Sequence, residues 1–215
     1  LGTSICTDTD GYCPLFDGTF SPDGSKIAFL MLDGVAGSKI VTADYNNTND
    51  TVTNLDILAP AGGGEPHFNS DGTLIAFKDG NDQKLKAYKV SDKSLAWSSA
   101  ADSTWGSSPQ FGPQTDKDML VATKTGGKIY IFEVVQGQNN VEALTWLTKT
   151  GAGSITWSPD GKKLAYGSGT GGTITTIDCA TKATSTITIP GYNTSNRIGE
   201  VDWTYEEGAQ PEFED

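Results

Sequence analysis

The sequence predicts an all-β fold, a small β-propeller of four complete four-stranded blades plus a partial or composite fifth. Three observations predict it. An aromatic residue returns at Phe20, Phe68, Phe111, Trp157 and Trp203, at intervals of 48, 43, 46 and 46 residues, and a near-constant period of that size marks a propeller or a solenoid. Each full period holds four short runs rich in Val, Ile, Thr and aromatics, bounded by Gly, Asn and Asp, which is the make-up of a propeller blade. No stretch carries apolar residues at helical spacing.

The first repeat reads as strands at 17–21, 26–32, 39–45 and 52–58, and the second at 66–69, 74–78, 85–90 and 94–98. The third has runs at 109–111, 119–123, 128–135 and 141–147, and the fourth at 154–158, 163–167, 173–178 and 185–189. Blades therefore fall near 14–60, 61–100, 101–150 and 151–190, with 191–215 a partial blade that offers an inner strand near 201–205. The first two strands of a repeat are joined by a tight reversal. In Ser21-Pro22-Asp23-Gly24 and Ser158-Pro159-Asp160-Gly161, Pro presets φ, Gly accepts the left-handed conformation, and Asp or Ser accepts a backbone hydrogen bond. Asn69-Ser70-Asp71-Gly72 does the same without the proline. In the third repeat the turn is lengthened at Gly112–Lys117 and is expected to protrude.

Thr19, His67, Gln110, Thr156 and Asp202 precede the five aromatics, and all are polar. Side chains alternate across a strand, so the aromatics fill the wedge between blades while the polar set looks toward other blades or a central channel. Closure has three readings: a small four- or five-bladed ring, a segment of a longer propeller, or a protomer whose spare terminal strand completes a neighbour. The last has a physical motive, because an unpaired strand leaves a row of unmatched backbone groups that another chain can satisfy.

The chain has 215 residues, 27 Asp+Glu against 15 Lys+Arg, and a formal charge of -12. Its one arginine is Arg197 and its lysines are scattered, which excludes nucleic acid as a partner and disfavours an anionic membrane surface. No apolar run reaches the roughly 20 residues of a membrane helix. Cys6 and Cys13 enclose a short loop and are expected to form a disulfide, leaving Cys179 alone and implying an oxidising compartment. Asn46, Asn49 and Asn193 head Asn-x-Ser/Thr triplets and are candidate glycosylation sites. Together these point to an extracellular or cell-surface protein, periplasmic if bacterial.

The segments Phe20–Phe29 and Trp157–Tyr166, and less closely Phe68–Phe77, resemble TolB-like propeller repeats. Their core is an aromatic, Ser-Pro-Asp-Gly, then a Lys-Ile-Ala-Phe-like strand. The resemblance implies the fold and leaves function open, since that family includes periplasmic binding proteins, surface proteins and the propeller domains of serine peptidases. Such a peptidase needs a separate hydrolase domain, and this chain has neither a Gly-x-Ser-x-Gly elbow nor a histidine beyond His67.

Candidate site residues are few. His67 and Asp202, beside inner-strand aromatics, are candidates for channel binding, and Trp105, on a loop before an inner strand, for ligand contact. Asp8, Asp10 and Asp17, with Gly11 between, partly resemble a calcium loop. No cofactor is expected otherwise, and no catalytic residue is assigned. The function expected is therefore a non-enzymatic extracellular propeller with a structural or protein-interaction role, self-assembling through terminal strand exchange. The alternatives are a carbohydrate- or peptide-binding module, or a glycosidase- or lyase-like enzyme using carboxylates such as Asp79, Asp82 and Asp202.

Overall fold

A computed structural model of the chain describes residues 13–33, 37–60, 62–106, 108–143, 145–148, 152–168 and 172–191, together with Val201 and Trp203. All its regular elements are strands, gathered into four antiparallel sheets of four. Blade 1 comprises β1 (Leu15–Phe20), β2 (Lys26–Asp33), β3 (Gly37–Asn46) and β4 (Thr51–Ala59). Blade 2 comprises β5 (His67–Phe68), β6 (Leu74–Lys78), β7 (Leu85–Lys89) and β8 (Leu95–Ser98). Blade 3 comprises β9 (Gln110–Phe111), β10 (Met119–Lys124), β11 (Lys128–Glu133) and β12 (Thr145–Thr148), and blade 4 comprises β13 (Ala152–Trp157), β14 (Lys163–Ser168), β15 (Thr173–Asp178) and β16 (Thr184–Thr188). In each sheet the strands pair in chain order, and β1, β5, β9 and β13 are successive neighbours around an axis. This is the blade architecture expected from the repeats.

The reversals form as their residues dictate. The Gly24, Gly72 and Gly161 amides donate to the carbonyls of Ser21, Asn69 and Ser158 at 2.8, 3.1 and 2.8 Å. All three glycines have positive φ, between 65° and 74°, where an L side chain is strained. The first turn residue then holds the start of the second strand: Lys26, Leu74 and Lys163 donate their amides to Ser21 Oγ, Asn69 Oδ1 and Ser158 Oγ at 2.8–2.9 Å. Asp23, Asp71 and Asp160 each accept the amide two residues on, at 2.9–3.0 Å. These aspartates are turn-formers.

The core lies between blades, where the aromatics fill the wedge. Phe68 packs with Phe77 and Ile75 against Ala28, Ile40 and Leu58 of blade 1. Phe111 and Leu120 meet Ala76, Ala87 and Trp97 of blade 2. Trp157, Leu164 and Tyr166 meet Val121 and Ile129 of blade 3. Small side chains such as Ala28 and Ala76 on one sheet leave room for the ring of the next. The Trp157 indole also donates across its junction to the Gln110 carbonyl at 3.3 Å.

The lengthened turn of blade 3 departs from expectation. It does not stand clear of the ring. Ser70 Oγ donates to the Gln114 carbonyl at 2.8 Å, and Gln114 Nε2 reaches the Gly161 carbonyl at 3.4 Å. The extra residues thus lie between the turns of blades 2 and 4, where the Gln114 carbonyl and Nε2 find partners and its Oε1 is buried without one.

Candidate functional site: the axial channel

The four inner strands line the site. Thr19, His67, Gln110 and Thr156, the residues before the aromatics, line a cavity of about 420 Å³ and a second, more polar one of about 300 Å³. The polar set therefore faces the axis, as strand alternation requires. Trp203 lines the first cavity together with Phe20 and Trp157. Val201 lines the second. The fifth aromatic thus takes its place at the axis beside its four counterparts.

The more polar cavity also takes Asp17, Glu65 and Ser154. Each stands two residues before a channel residue (Thr19, His67 and Thr156), but β1 and β13 shift register there and Glu65 precedes β5, so strand alternation alone does not place them. Asp17 sits where β1 shifts register against β2, with a φ of 54°. A bulge of this kind re-aims a side chain. Proton chemistry in the channel is constrained by the backbone. His67 Nδ1 lies 2.8 Å from the Phe68 carbonyl oxygen and 3.3 Å from the Phe111 amide nitrogen. Protonated, it donates to the first; unprotonated, it accepts from the second. Only the second contact ties the ring across the junction of blades 2 and 3; the first stays within β5.

Trp105 is not a loop aromatic open to a ligand. It is 4% exposed and pairs as a bridge with Lys124. Its ring meets Tyr130 edge-on at 4.9 Å, and Lys124 Nζ sits 4.0 Å from its centre. Lys124 is held in turn by Asp102 at 2.6 Å. Cation–π contact and burial together seal the indole into the junction of blades 2 and 3. Position before an inner strand did not reveal this, because the covering residues come from β10 and β11.

Other candidate groups are engaged in structure. Asp79 is 5% exposed, accepts the Asn81 amide at 2.8 Å and pairs with Lys86 at 2.7 Å. Asp82 also pairs with Lys86, at 2.9 Å. The Lys124 ammonium and the Thr104 hydroxyl and amide hold the Asp102 carboxyl far below the usual range. Cys179 is a free, half-buried thiol, pushed up to about 11 by burial and the nearby carboxylates of Asp178 and Asp160. A thiol so shifted is a poor nucleophile at neutral pH.

Cys13 is disulfide-bonded, while its expected partner, Cys6, lies outside the described residues. Asp8, Asp10, Asn193 and Asp202 also lie outside them. Among the described residues no three His, Cys, Asp or Glu side chains are grouped to hold a metal ion. Asn46 and Asn49 are exposed, at the end of β3 and in the turn that follows it. No helix among the described residues is long and apolar enough to cross a membrane.

Comparisons with known proteins bear on the fold. No protein-family model matches the chain, and no curated protein matches it. Among solved structures it is similar to TolB from Acinetobacter baumannii, with a TM-score of 0.59 and 18% identity over 82% of this chain and 44% of that one. It is similar to Kuenenia stuttgartiensis hydrazine synthase, with a TM-score of 0.58 and 19% identity over 87% of this chain and 52% of that one. It is also similar to the β-propeller domain of Myceliophteria thermophila Cps50 (Swd1), with a TM-score of 0.53 and 13% identity over 82% and 56%. The chain spans about half the length of these structures. The likenesses show a β-propeller.

Proposed function

We propose that the chain is a non-enzymatic extracellular or cell-surface propeller with a structural or protein-interaction role, which assembles with further copies of itself by exchanging a terminal strand. One observation carries this reading. Val201 and Trp203 line the axial cavities that the four inner strands line, so the chain returns to the axis after four finished sheets. An unpaired strand there would be a template for pairing, in its own chain or in another. The engagement of Asp79 and Asp82, two of the three carboxylates weighed for an enzymatic role, in ion pairs with Lys86 supports a role without catalysis. A Cys6–Cys13 disulfide and glycans on Asn46, Asn49 and Asn193 belong to the same extracellular reading. The partner is a further copy or another protein.

Deleting 200–215 tests this reading. Light scattering is expected to show loss of assembly with the melting transition of the four blades retained; an unchanged oligomer size refutes it. A second reading, a carbohydrate- or peptide-binding module, is favoured by the polar cavity at Asp17, Glu65 and His67. A glycan array and a peptide pull-down, with His67→Ala and Asp202→Ala as controls, test it.

A further inference from the structure

We propose that β16, the outer strand of blade 4, pairs antiparallel with β16 of a second copy, joining two rims into one continuous sheet. The outer strand of a blade leaves a row of backbone groups facing outward, and folded proteins ordinarily blunt such edges. Among the described residues, three of the four outer edges are blunted. β4 is broken by two register shifts against β3, turns through a positive φ at Asn54 and carries Asp56 in an ion pair with Lys93. β8 is covered: Gly137 donates its amide to the Ala96 carbonyl at 2.7 Å, and Ser98 donates to the Gln138 carbonyl at 3.2 Å. β12 is four residues long and shifted against β11, and the Lys182 ammonium donates to its Trp146 carbonyl at 3.2 Å. β16 carries none of these devices. It pairs with β15 through five residues without a shift, and all five, Thr184–Thr188, are exposed.

Register decides which groups are on offer. Asp178 donates its amide to the Ala183 carbonyl and Ile189 to that of Gly172, both at 2.9 Å. Antiparallel pairs alternate between exchanging both backbone bonds and exchanging none. Ser185 and Ile187 therefore bond inward to Thr176 and Ile174, while Thr184, Thr186 and Thr188 turn N–H and C=O outward. A second β16 fits this row because the strand is complementary to itself. With Thr186 opposite Thr186, Thr184 falls opposite Thr188 and Ser185 opposite Ile187. The outward pairs, exchanging two bonds each, give about six backbone hydrogen bonds across the join. Thr–Thr pairs are favourable cross-strand neighbours, and the pairing lays cover over Ile187, which is 56% exposed.

Charge singles out the occupant. The whole chain carries -12, so contact between most of its surfaces brings like charges together. Between Thr181 and Pro190 the only charged residue is Lys182, and in this register it meets Pro190. Pro190, lacking an N–H, also ends the pairing. Such a two-fold contact uses up the edge on both sides and closes as a dimer. It does not rest on terminal-strand exchange, which makes no use of β16.

Register-specific crosslinking of the full chain tests the pairing, in a Cys179→Ala background; Cys13 is already disulfide-bonded. Residues exchanging both bonds lie about 5.5 Å apart at Cα, within disulfide reach. Thr186→Cys is expected to link two copies under mild oxidation about tenfold or more faster than Thr184→Cys or Thr188→Cys alone. Mixing Thr184→Cys with Thr188→Cys copies is expected to restore the fast link. Equal rates at the three positions mean random collision and overturn the proposal, as does the absence of any link. Thr186→Lys sets two like charges face to face at the two-fold axis. By analytical ultracentrifugation it is expected to raise the dimer dissociation constant about tenfold or more. Thr186 is exposed, so the melting temperature of the monomer is expected to stay unchanged. Mixing Thr186→Lys with Thr186→Glu copies is expected to restore dimers. Association undisturbed by Thr186→Lys overturns the edge pairing and leaves terminal-strand exchange standing; dimers lost in Thr186→Lys and regained in the mixture support it.

Discussion

Lys39→Met is expected to destabilise the protein by about 3–5 kcal/mol, the usual effect of stranding one member of a buried ion pair. Lys39 Nζ lies 2.8 Å from Asp33 Oδ2, and the two side chains are 8% and 0% exposed. Their direct attraction at that distance is about 6 kcal/mol at an effective dielectric of 20. Most of it offsets the desolvation of both charges, so replacing both is a different experiment from replacing one. Asp33→Val with Lys39→Met is expected to return to within about 1 kcal/mol of the parent. Urea unfolding of the four members of the cycle gives the coupling, with unchanged m-values as the check on two-state behaviour. A loss below about 1 kcal/mol for Lys39→Met would mean that water reaches the pair, in the range of exposed ion pairs. The burial described for the β2–β3 end of blade 1 would then be wrong.

Acid titration is expected to erode stability as pH falls from about 4 toward 2. Hydrogen bonds from the Ser21 hydroxyl and the Ser25 amide lower Asp23 to about 2, and Asp102 and Asp160 are lowered by Lys124 and Ser158 respectively. A depressed folded-state pKa gives stability that is present above the unfolded value and lost as pH drops through the folded one; a melting temperature flat between pH 5 and 2 contradicts it. Asp118 behaves oppositely, raised by burial despite the 2.8 Å bond from Asn69. Asp118→Asn is therefore expected to raise the melting temperature at pH 7 and to have little effect once the native carboxyl is protonated. Phe68→Ala is expected to lose about 3–5 kcal/mol by calorimetry or denaturant, as for a buried aromatic truncated to a cavity; a loss under 1 kcal/mol would deny the wedge its role.

Local rules reach far into this fold because each blade is built from short-range pieces. The turn at Ser21–Gly24 needs only Pro, Asp and Gly in order, and its hydrogen bonds span at most five residues. The polar set Thr19, His67, Gln110 and Thr156 was legible because strand alternation ties it to the aromatics. Asp17 and Ser154 were not, because β1 and β13 shift register beside them, and Glu65 precedes β5, where no strand alternation applies. Trp105 was misread for the opposite reason: Tyr130, Phe132 and Lys124 cover it from two strands away in the sheet, and nothing in its own stretch announces them. The lengthened turn at Gly112–Lys117 failed likewise, since its partners are Ser70 and Gly161, more than 40 residues off in either direction.

That turn has a mechanical consequence. A Cβ at Gly161 would come within 2.6 Å of Gln114, so the side chain lies directly on its neighbour's backbone. Gripped at this rim, three sheets cannot spread their radius there without surrendering both hydrogen bonds. Bending of the arc is thereby directed to the opposite rim, as a fan pinned at its handle opens only at the free ends of its ribs.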